Sequence, residues 1–339
     1  MPIPIIRRLV FGILVAGCFI SCFTPLQSQE YRIVYDIRSP FQRITVVDTG
    51  GGFRRMIFDG RLDGSDPIQS EMNLARPHDL ALSYTRTMMS ALPLAADPER
   101  ILLIGLGGAS MQRFLHALLP EAIIETAELD PEVHSVAVEF FAFNEDERQI
   151  VHIEDGRAFI ENSRDSYNLI FLDAYSAEAI PFSLTTAEFL EAVKARLAEG
   201  GVVCANLLTG NLFFSDMLRT YAQVFPELHL VRNPSSGNTL LIALDQRSGL
   251  TVEAWAEKAE AFENAHPTGL DLPRIIRRGA AEIRIPVRAK ILRDKIAGKM
   301  ADFVNEPGDH HRCAAAGTAA RAGKPIASGL QTERQMPQP

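Results

Sequence analysis

Ile101-Leu-Leu-Ile-Gly-Leu-Gly-Gly-Ala-Ser110, ILLIGLGGAS, is the stretch whose reading decides the fold. Its apolar start, Ile101 to Ile104, reads as a buried strand, and its glycines read as a tight turn. Met111, Phe114, Leu115 and Leu118 then recur at helical spacing. A strand, a glycine turn and a helix in that order let a backbone approach a nucleotide closely. Ser110 stands where a dinucleotide fingerprint has its third glycine, so the turn alone does not name the ligand.

Outward from this turn, apolar strands alternate with amphipathic helices, the pattern of a doubly wound parallel sheet. Strands are expected at Ala122 to Glu128, Ile150 to Ile153, Leu169 to Leu172 and Val202 to Asn206. A closing hairpin is expected from Leu228 to Val231 and Thr239 to Ala243. Asp130 with Pro131 marks one helix start. Thr185-Thr-Ala-Glu188 reads as a capping box, with Leu184 and Phe189 as its staple. Upstream, Tyr31 to Tyr35, Arg43 to Val47 and Arg55 to Phe58 read as short strands around the turn Gly50-Gly51-Gly52. A helix with Leu80, Tyr84, Met88 and Leu92 on one face follows them. Downstream, helices are expected over Glu253 to Ala265 and Ala289 to Phe303. The tail from Glu306 has the composition of a disordered segment.

The expected organisation is a leader over 1–30, a small antiparallel β-unit over 31–75, an α/β nucleoside-binding domain over 76–250, a helical extension over 251–305 and a tail over 306–339. Of the 339 residues, 47% are hydrophobic and 22% charged, and the formal net charge is −8. That is a globular composition with no overall field to attract nucleic acid. Arg7 and Arg8 precede the apolar run Leu9 to Gly17, which is short for a membrane span and laid out like an export signal. Val15-Ala16-Gly17-Cys18 resembles a lipoprotein lipobox, with Cys18 as the acylated residue; a plain signal or short anchor is the alternative. Cys204 and Cys313 are the only cysteines beyond the leader, too few for a disulfide framework.

In an open α/β sheet the ligand lies at the carboxyl ends of the strands. Four successive strands deliver glycines or acids there: Gly105 and Gly107, then Glu128, then Asp155-Gly156, then Asp173. Glu128, about twenty residues past the turn, suits a pair of ribose hydroxyls. Asp155 suits an exocyclic adenine amine or, alternatively, the N-cap of the next helix. Asp173 follows an apolar run, where a desolvated carboxylate could take a proton from an attacking amine or simply cap a turn.

Together these residues resemble the spermidine synthase (polyamine aminopropyltransferase) family, built on the class I S-adenosylmethionine-dependent methyltransferase fold. RILLIGLGGAS, AELDPEV, IEDGRAFI, YNLIFLDAYS and LAEGGVVCANL carry the resemblance, which covers roughly Tyr31 to Leu244. It implies a mostly parallel, doubly wound sheet of seven strands beside the small N-terminal β-unit. It also implies a donor, S-adenosylmethionine or its decarboxylated form, without a metal. Gly105, Gly107 and Gly156 would line the nucleoside, Glu128 would hold ribose and Asp155 adenine, and Gln42 in SPFQRITVVD would face the nucleoside. Asp173 falls on the family's proposed base. Tyr84, Tyr175 and Glu178 are the candidates to face a small-molecule amine acceptor.

The departures carry information too. The family turn reads Gly-Gly-Gly-Asp-Gly-Gly, its acid binding the aminopropyl ammonium; Gly108 stands there. Ser176 replaces the second aspartate of the catalytic loop, and a Tyr-His-Glu segment is absent from LSYTRTMMSALPL. A polyamine site needs carboxylates, since an unpaired buried ammonium is costly. The lost acids weaken the case for a polyamine acceptor, but the resemblance makes aminopropyl transfer to an amine the leading expectation and methyl transfer its close rival. A non-catalytic nucleoside-binding module is the alternative from another class, and an NAD-dependent oxidoreductase ranks below both. The leader points to export or membrane association, whereas donors made in the cytoplasm point to a cytoplasmic protein. A membrane tether through the N-terminus and a homodimer are the further assemblies to consider.

Overall fold

The structure, a computed structural model, describes residues 31–62, 68–95, 98–176 and 179–294. Cys18 with the rest of residues 1–30, Glu178, and residues 306–339 with most of the 289–303 stretch lie outside the described residues. No described helix is long and apolar enough to cross a membrane.

The chain begins with a four-stranded antiparallel sheet in sequential order: β1 (Tyr31–Arg38), β2 (Arg43–Thr49), β3 (Phe53–Phe58) and β4 (Ile68–Asn73). The sequence showed three of these strands. β4 reads IQSEMN and lacks an apolar run, yet Ser70 and Met72 alternate onto its buried face. Next come α1 (Ser83–Met88) and a 3₁₀ helix over Met89–Leu94 that contains Pro93. The expected long helix is thus split, and Leu80 precedes it, although Leu80, Met88 and Leu92 are all buried.

The second sheet holds β5 (Arg100–Ile104), β6 (Ile123–Glu128), β7 (Gln149–Ile153), β8 (Tyr167–Leu172), β9 (Leu197–Leu208), β10 (Glu227–Arg232), β11 (Asn238–Leu244) and β12 (Ala280–Ala281). Its spatial order is β12-β10-β11-β9-β8-β5-β6-β7. The seven expected strands are present, and the two-residue β12 adds an eighth beside β10. β5 to β9 run parallel, while β10 and β11 close the sheet antiparallel. The chain leaves β5 towards β6 and β7, then returns to place β8 on β5's other side. That reversal opens a crevice at the carboxyl ends of the strands.

Helices cover both faces. α2 (Ser110–Leu118) joins α7 (Val252–Ala265) and α8 (Leu272–Gly279) on a core that contains Ile101, Leu103, Trp255 and Ile276. α4 (Gly156–Asn162), α5 (Ala187–Ala195) and α6 (Phe214–Val224) sit on the other, with Leu102, Phe189 and Tyr221. α3 (Pro131–Phe140) packs with Ile44, Val46 and Met56 of the N-terminal sheet. Three local expectations change. Thr186, not Thr185, caps α5, because the Thr185 hydroxyl donates to the Phe182 carbonyl; Glu188 accepts from Asp294 N instead of closing a box. Residues 289–293 are not helical but lie as a strap, the Leu292 amide and carbonyl bonding to Thr220 Oγ1 and Ala187 N. α8 is a helix the sequence reading missed, since its short stretch LPRIIRRG buries only Leu272, Pro273, Ile276 and Gly279.

The β1–β2 turn of the N-terminal sheet is hydrogen-bonded to the crevice side of the large sheet. Ser39 Oγ, in the β1–β2 turn, donates to Asp130 Oδ2 at 2.6 Å, and Asp130, 1% exposed, caps α3 through its other oxygen. The same Ser39 oxygen accepts from the Phe41 and Gln42 amides. Ser39→Ala strands a buried carboxylate oxygen, and such losses cost about 1–3 kcal/mol. A lowered urea midpoint with an unchanged m-value is the expected result.

Candidate active site

Three glycines shape the turn after β5. Gly105 has φ +103°, and a Cβ on it would meet the Asp173 carbonyl oxygen at 2.6 Å, so no other residue fits. Gly107 also lies in the left-handed region. Gly108 is fixed by packing. Its amide donates to Ser70 Oγ at 2.7 Å, and a Cβ there would lie 2.8 Å from Phe141 Cδ1 and 2.9 Å from Ser70 Cβ. The missing acid at this position is therefore a matter of space as well as of sequence: β4 and the end of α3 fill the volume it would need.

Glu128 ends β6 facing the turn. Oε2 accepts from the Leu106 amide and Oε1 from the Asp130 amide, both at 2.9 Å. Burial pushes its pKa above the ordinary carboxylate value, against the pull of these amides. Each oxygen keeps a second lone pair for a ligand donor. Asp155 is exposed and caps α4, Oδ1 accepting from Arg157 N and Ala158 N. The capping role is thus present, and it uses one oxygen of the two. Gly156 is buried, opening α4 against Ile104. Gln42 lies in the β1–β2 turn, which Ser39 ties to Asp130 and hence to Glu128.

Asp173 follows β8 and centres a polar cluster. Oδ1 accepts from Asn206 Nδ2 at 2.8 Å and Oδ2 from Tyr84 Oη at 3.2 Å. Asn238 Nδ2 donates to Asn206 Oδ1 at 2.8 Å, which orients the Asn206 amide with its donor towards Asp173. Tyr175 Oη donates to the Asn206 carbonyl, so its hydroxyl braces β9. Desolvation raises the Asp173 pKa to about 7, outweighing the lowering effect of Asn206 and Tyr84. The Tyr84 hydroxyl is pushed well above its ordinary value by burial and the facing carboxylate. Beside the cluster, Ile104, Leu172, Ala174, Ile180 and Leu184 line an apolar cleft.

The structure thus brings Gly105, Gly107, Glu128, Asp173, Tyr84 and Tyr175 around one crevice, with Asp155 and Gln42 on its neighbouring loops. Asn206, Asn238, Ser39 and Ser70 were missed. Asn206 was within reach, as the polar end of an otherwise apolar run, VVCAN, on the strand next to the one carrying Asp173. Ser39 lies in a turn, Ser70 on the edge strand β4 and Asn238 at the start of β11, and none of them closes an apolar run. Among the described residues no group of three His, Cys, Asp or Glu side chains is placed to hold a metal ion.

Known proteins resemble this chain in sequence and fold. Residues 82–233 match the family model of the spermine/spermidine synthase domain. A polyamine aminopropyltransferase of Chromobacterium violaceum is 34% identical over 219 residues, which are 63% of this chain and 83% of that protein. The chain belongs to the spermine/spermidine synthase family. It is a transferase by that membership. A probable spermidine synthase from Corynebacterium glutamicum shares the fold with a TM-score of 0.57 at 21% identity, over 67% of this chain and 87% of that one. Human methyltransferase-like protein 13, solved in complex with SAH, aligns with a TM-score of 0.50 at 26% identity, over 61% of this chain and 98% of that structure.

The Asp173 environment has a pH signature. Its folded pKa of about 7 lies above the ordinary 3.8, so the folded state holds a proton that the unfolded chain has released between those values. Stability then falls as pH rises through that window and levels off above it. In Asp173→Asn, which keeps the shape without the charge, the part of this fall due to Asp173 should be absent. Urea midpoints at pH 4 and pH 8 for both proteins measure it; parallel curves would mean that Asp173 is not desolvated.

Proposed function

We propose that the protein transfers a carbon group from a sulfonium nucleoside, S-adenosylmethionine or its decarboxylated form, to an amine nitrogen, with Asp173 as base. The observation that carries this reading is the Asp173 carboxylate itself. It is desolvated and clamped by Asn206 and Tyr84, and the backbone that carries it is pressed against the Gly105 turn. The amine lone pair attacks the carbon on sulfur, the carbon–sulfur bond breaks with its electrons passing to sulfur, and a neutral thioether leaves. The amine proton goes to Asp173. A base with a pKa of about 7 is matched to that task at neutral pH. Leaving-group chemistry belongs to the donor, and the protein supplies orientation.

In this reading Glu128 takes the ribose hydroxyls with its remaining lone pairs, and the second oxygen of Asp155 takes the adenine amine. Gln42 closes over the nucleoside from the N-terminal sheet. Relatedness to a polyamine aminopropyltransferase supports the aminopropyl group as the one moved. Methyl transfer is the second reading. The packing at Gly108 favours it, because Phe141 and Ser70 leave no room for an acid that would hold the aminopropyl ammonium.

Donors carrying label in the methyl or the propyl position, offered with a panel of small amines and polyamines, identify the group moved by mass of the product. Asp173→Asn should lower kcat by about 10²- to 10⁴-fold while leaving thioether binding in place. Asn206→Leu removes a donor that stabilises the carboxylate, so the rising limb of its pH–rate profile should move to higher pH. Nucleoside binding without turnover on any amine, unchanged by Asp173→Asn, would instead establish a non-catalytic module.

A further inference from the structure

A second hollow opens where α8 runs into the edge of the large sheet. Gly279 ends α8, and the chain then lays β12 beside β10. A Cβ on Gly279 would lie 2.5 Å from Val231 Cγ1 and 2.9 Å from the Arg232 carbonyl oxygen, so a side chain there would collide. The close approach brings Arg278, the residue before Gly279, to Arg232, the last residue of β10. Both arginines line a cavity of about 530 Å³, with Phe214, Leu218 and Leu230 as its apolar wall. That volume lies within the range of small-molecule sites.

The charges around this cavity do not balance. Arg284 also lines it, but its Nε and Nη2 both donate to Glu282 Oε2, at 3.0 and 2.6 Å, so the carboxylate on the cavity wall is already engaged. Arg277 pairs with Glu253 and Glu260 of α7. Arg232 and Arg278 differ: neither side chain makes a hydrogen bond or ion pair among the described residues. The cavity is also separate from the crevice. Met217 and Tyr221 of α6 line the cleft beside Asp173, whereas Phe214 and Leu218 of the same helix line this one. β10 lies three strand positions from β8, about 14 Å at ordinary strand spacing.

We propose that this cavity is a second binding site, which takes a phosphomonoester carried on an apolar body. A phosphomonoester holds close to two negative charges at neutral pH, which matches Arg232 and Arg278 in number. Its oxygens also suit the paired donors of a guanidinium fork. A carboxylate supplies one charge and leaves one arginine unbalanced. The apolar body lies against Phe214, Leu218 and Leu230. The site does not depend on which group the crevice transfers, or on whether it transfers one.

Calorimetric titration of the full chain with phenyl phosphate tests this, with benzoate and inorganic phosphate as comparisons. Phenyl phosphate should bind at one site, about 10-fold more tightly than benzoate, which has one charge fewer, or inorganic phosphate, which has no apolar body. Arg232→Gln and Arg278→Gln should each weaken it about 10- to 100-fold, the range of a charge-assisted contact. Both side chains are exposed, so neither substitution disturbs the core. Arg219→Gln, at an exposed arginine of α6 that does not line the cavity, should leave binding unchanged. Absence of saturable binding, or binding that survives both cavity substitutions, overturns the proposal. Equal weakening by Arg219→Gln would show a general attraction to positive charge and overturn it as well. Benzoate binding as tightly as phenyl phosphate would overturn the assignment to a phosphomonoester. Asp173→Asn should leave phenyl phosphate binding intact, and its loss there would place the ligand in the crevice and overturn the second site.

Discussion

Between the ends of β5 and β8 the two backbones run so close that a Cβ on Gly105 would lie 2.6 Å from the Asp173 carbonyl oxygen. The Gly105 amide meanwhile donates to the Ala127 carbonyl, and the Asp173 amide to the Ile104 carbonyl. Strand pairing thus continues one residue past β5 on both sides. Only then does the chain turn, at a φ that side chains rarely adopt. This close approach sets the glycine turn, Glu128 and Asp173 around one point. The apolar cleft, the Asn206–Asn238 clamp and the start of α2 are all arranged relative to it.

The N-terminal sheet secures this arrangement by two serines. Ser39 donates to Asp130, whose amide in turn reaches Glu128; Ser70 accepts from Gly108. Each holds one side of the turn with a buried polar contact, so the small sheet is part of the site's construction. Low local dielectric makes such contacts strong when satisfied and costly when broken. It also accounts for the elevated carboxylates. Glu128 and Asp173 are both pushed upward by burial, yet each is held by directed donors that keep ionisation accessible.

Much of the fold was legible because parallel strands buried on both faces read as apolar runs, and the glycine turn marks where the first of them ends. The acids Glu128, Asp155 and Asp173 could be picked out for the same reason, as polar residues that close such runs. Asn206 closes another and should have been picked out with them. β4 and α8 were hidden by composition, since IQSEMN and LPRIIRRG bury only a few residues each. The shift of the α5 cap from Thr185 to Thr186 turned on which hydroxyl the preceding turn had already engaged.

Periodicity and strand-end residues were enough, in the sequence alone, to establish the doubly wound sheet, the carboxyl-edge site and the acids that line it. Those signals are local, written in spacing along the chain. Tertiary structure decided that Phe141 and Ser70 fill the space beside Gly108, that Asn238 orients Asn206 towards Asp173, and that Arg232 and Arg278 line one cavity with no ion-pair partner among the described residues. Each of these joins residues more than thirty positions apart, or depends on what a side chain fails to meet. Burial and the absence of a partner are properties of three-dimensional surroundings, and no pattern along the chain encodes them.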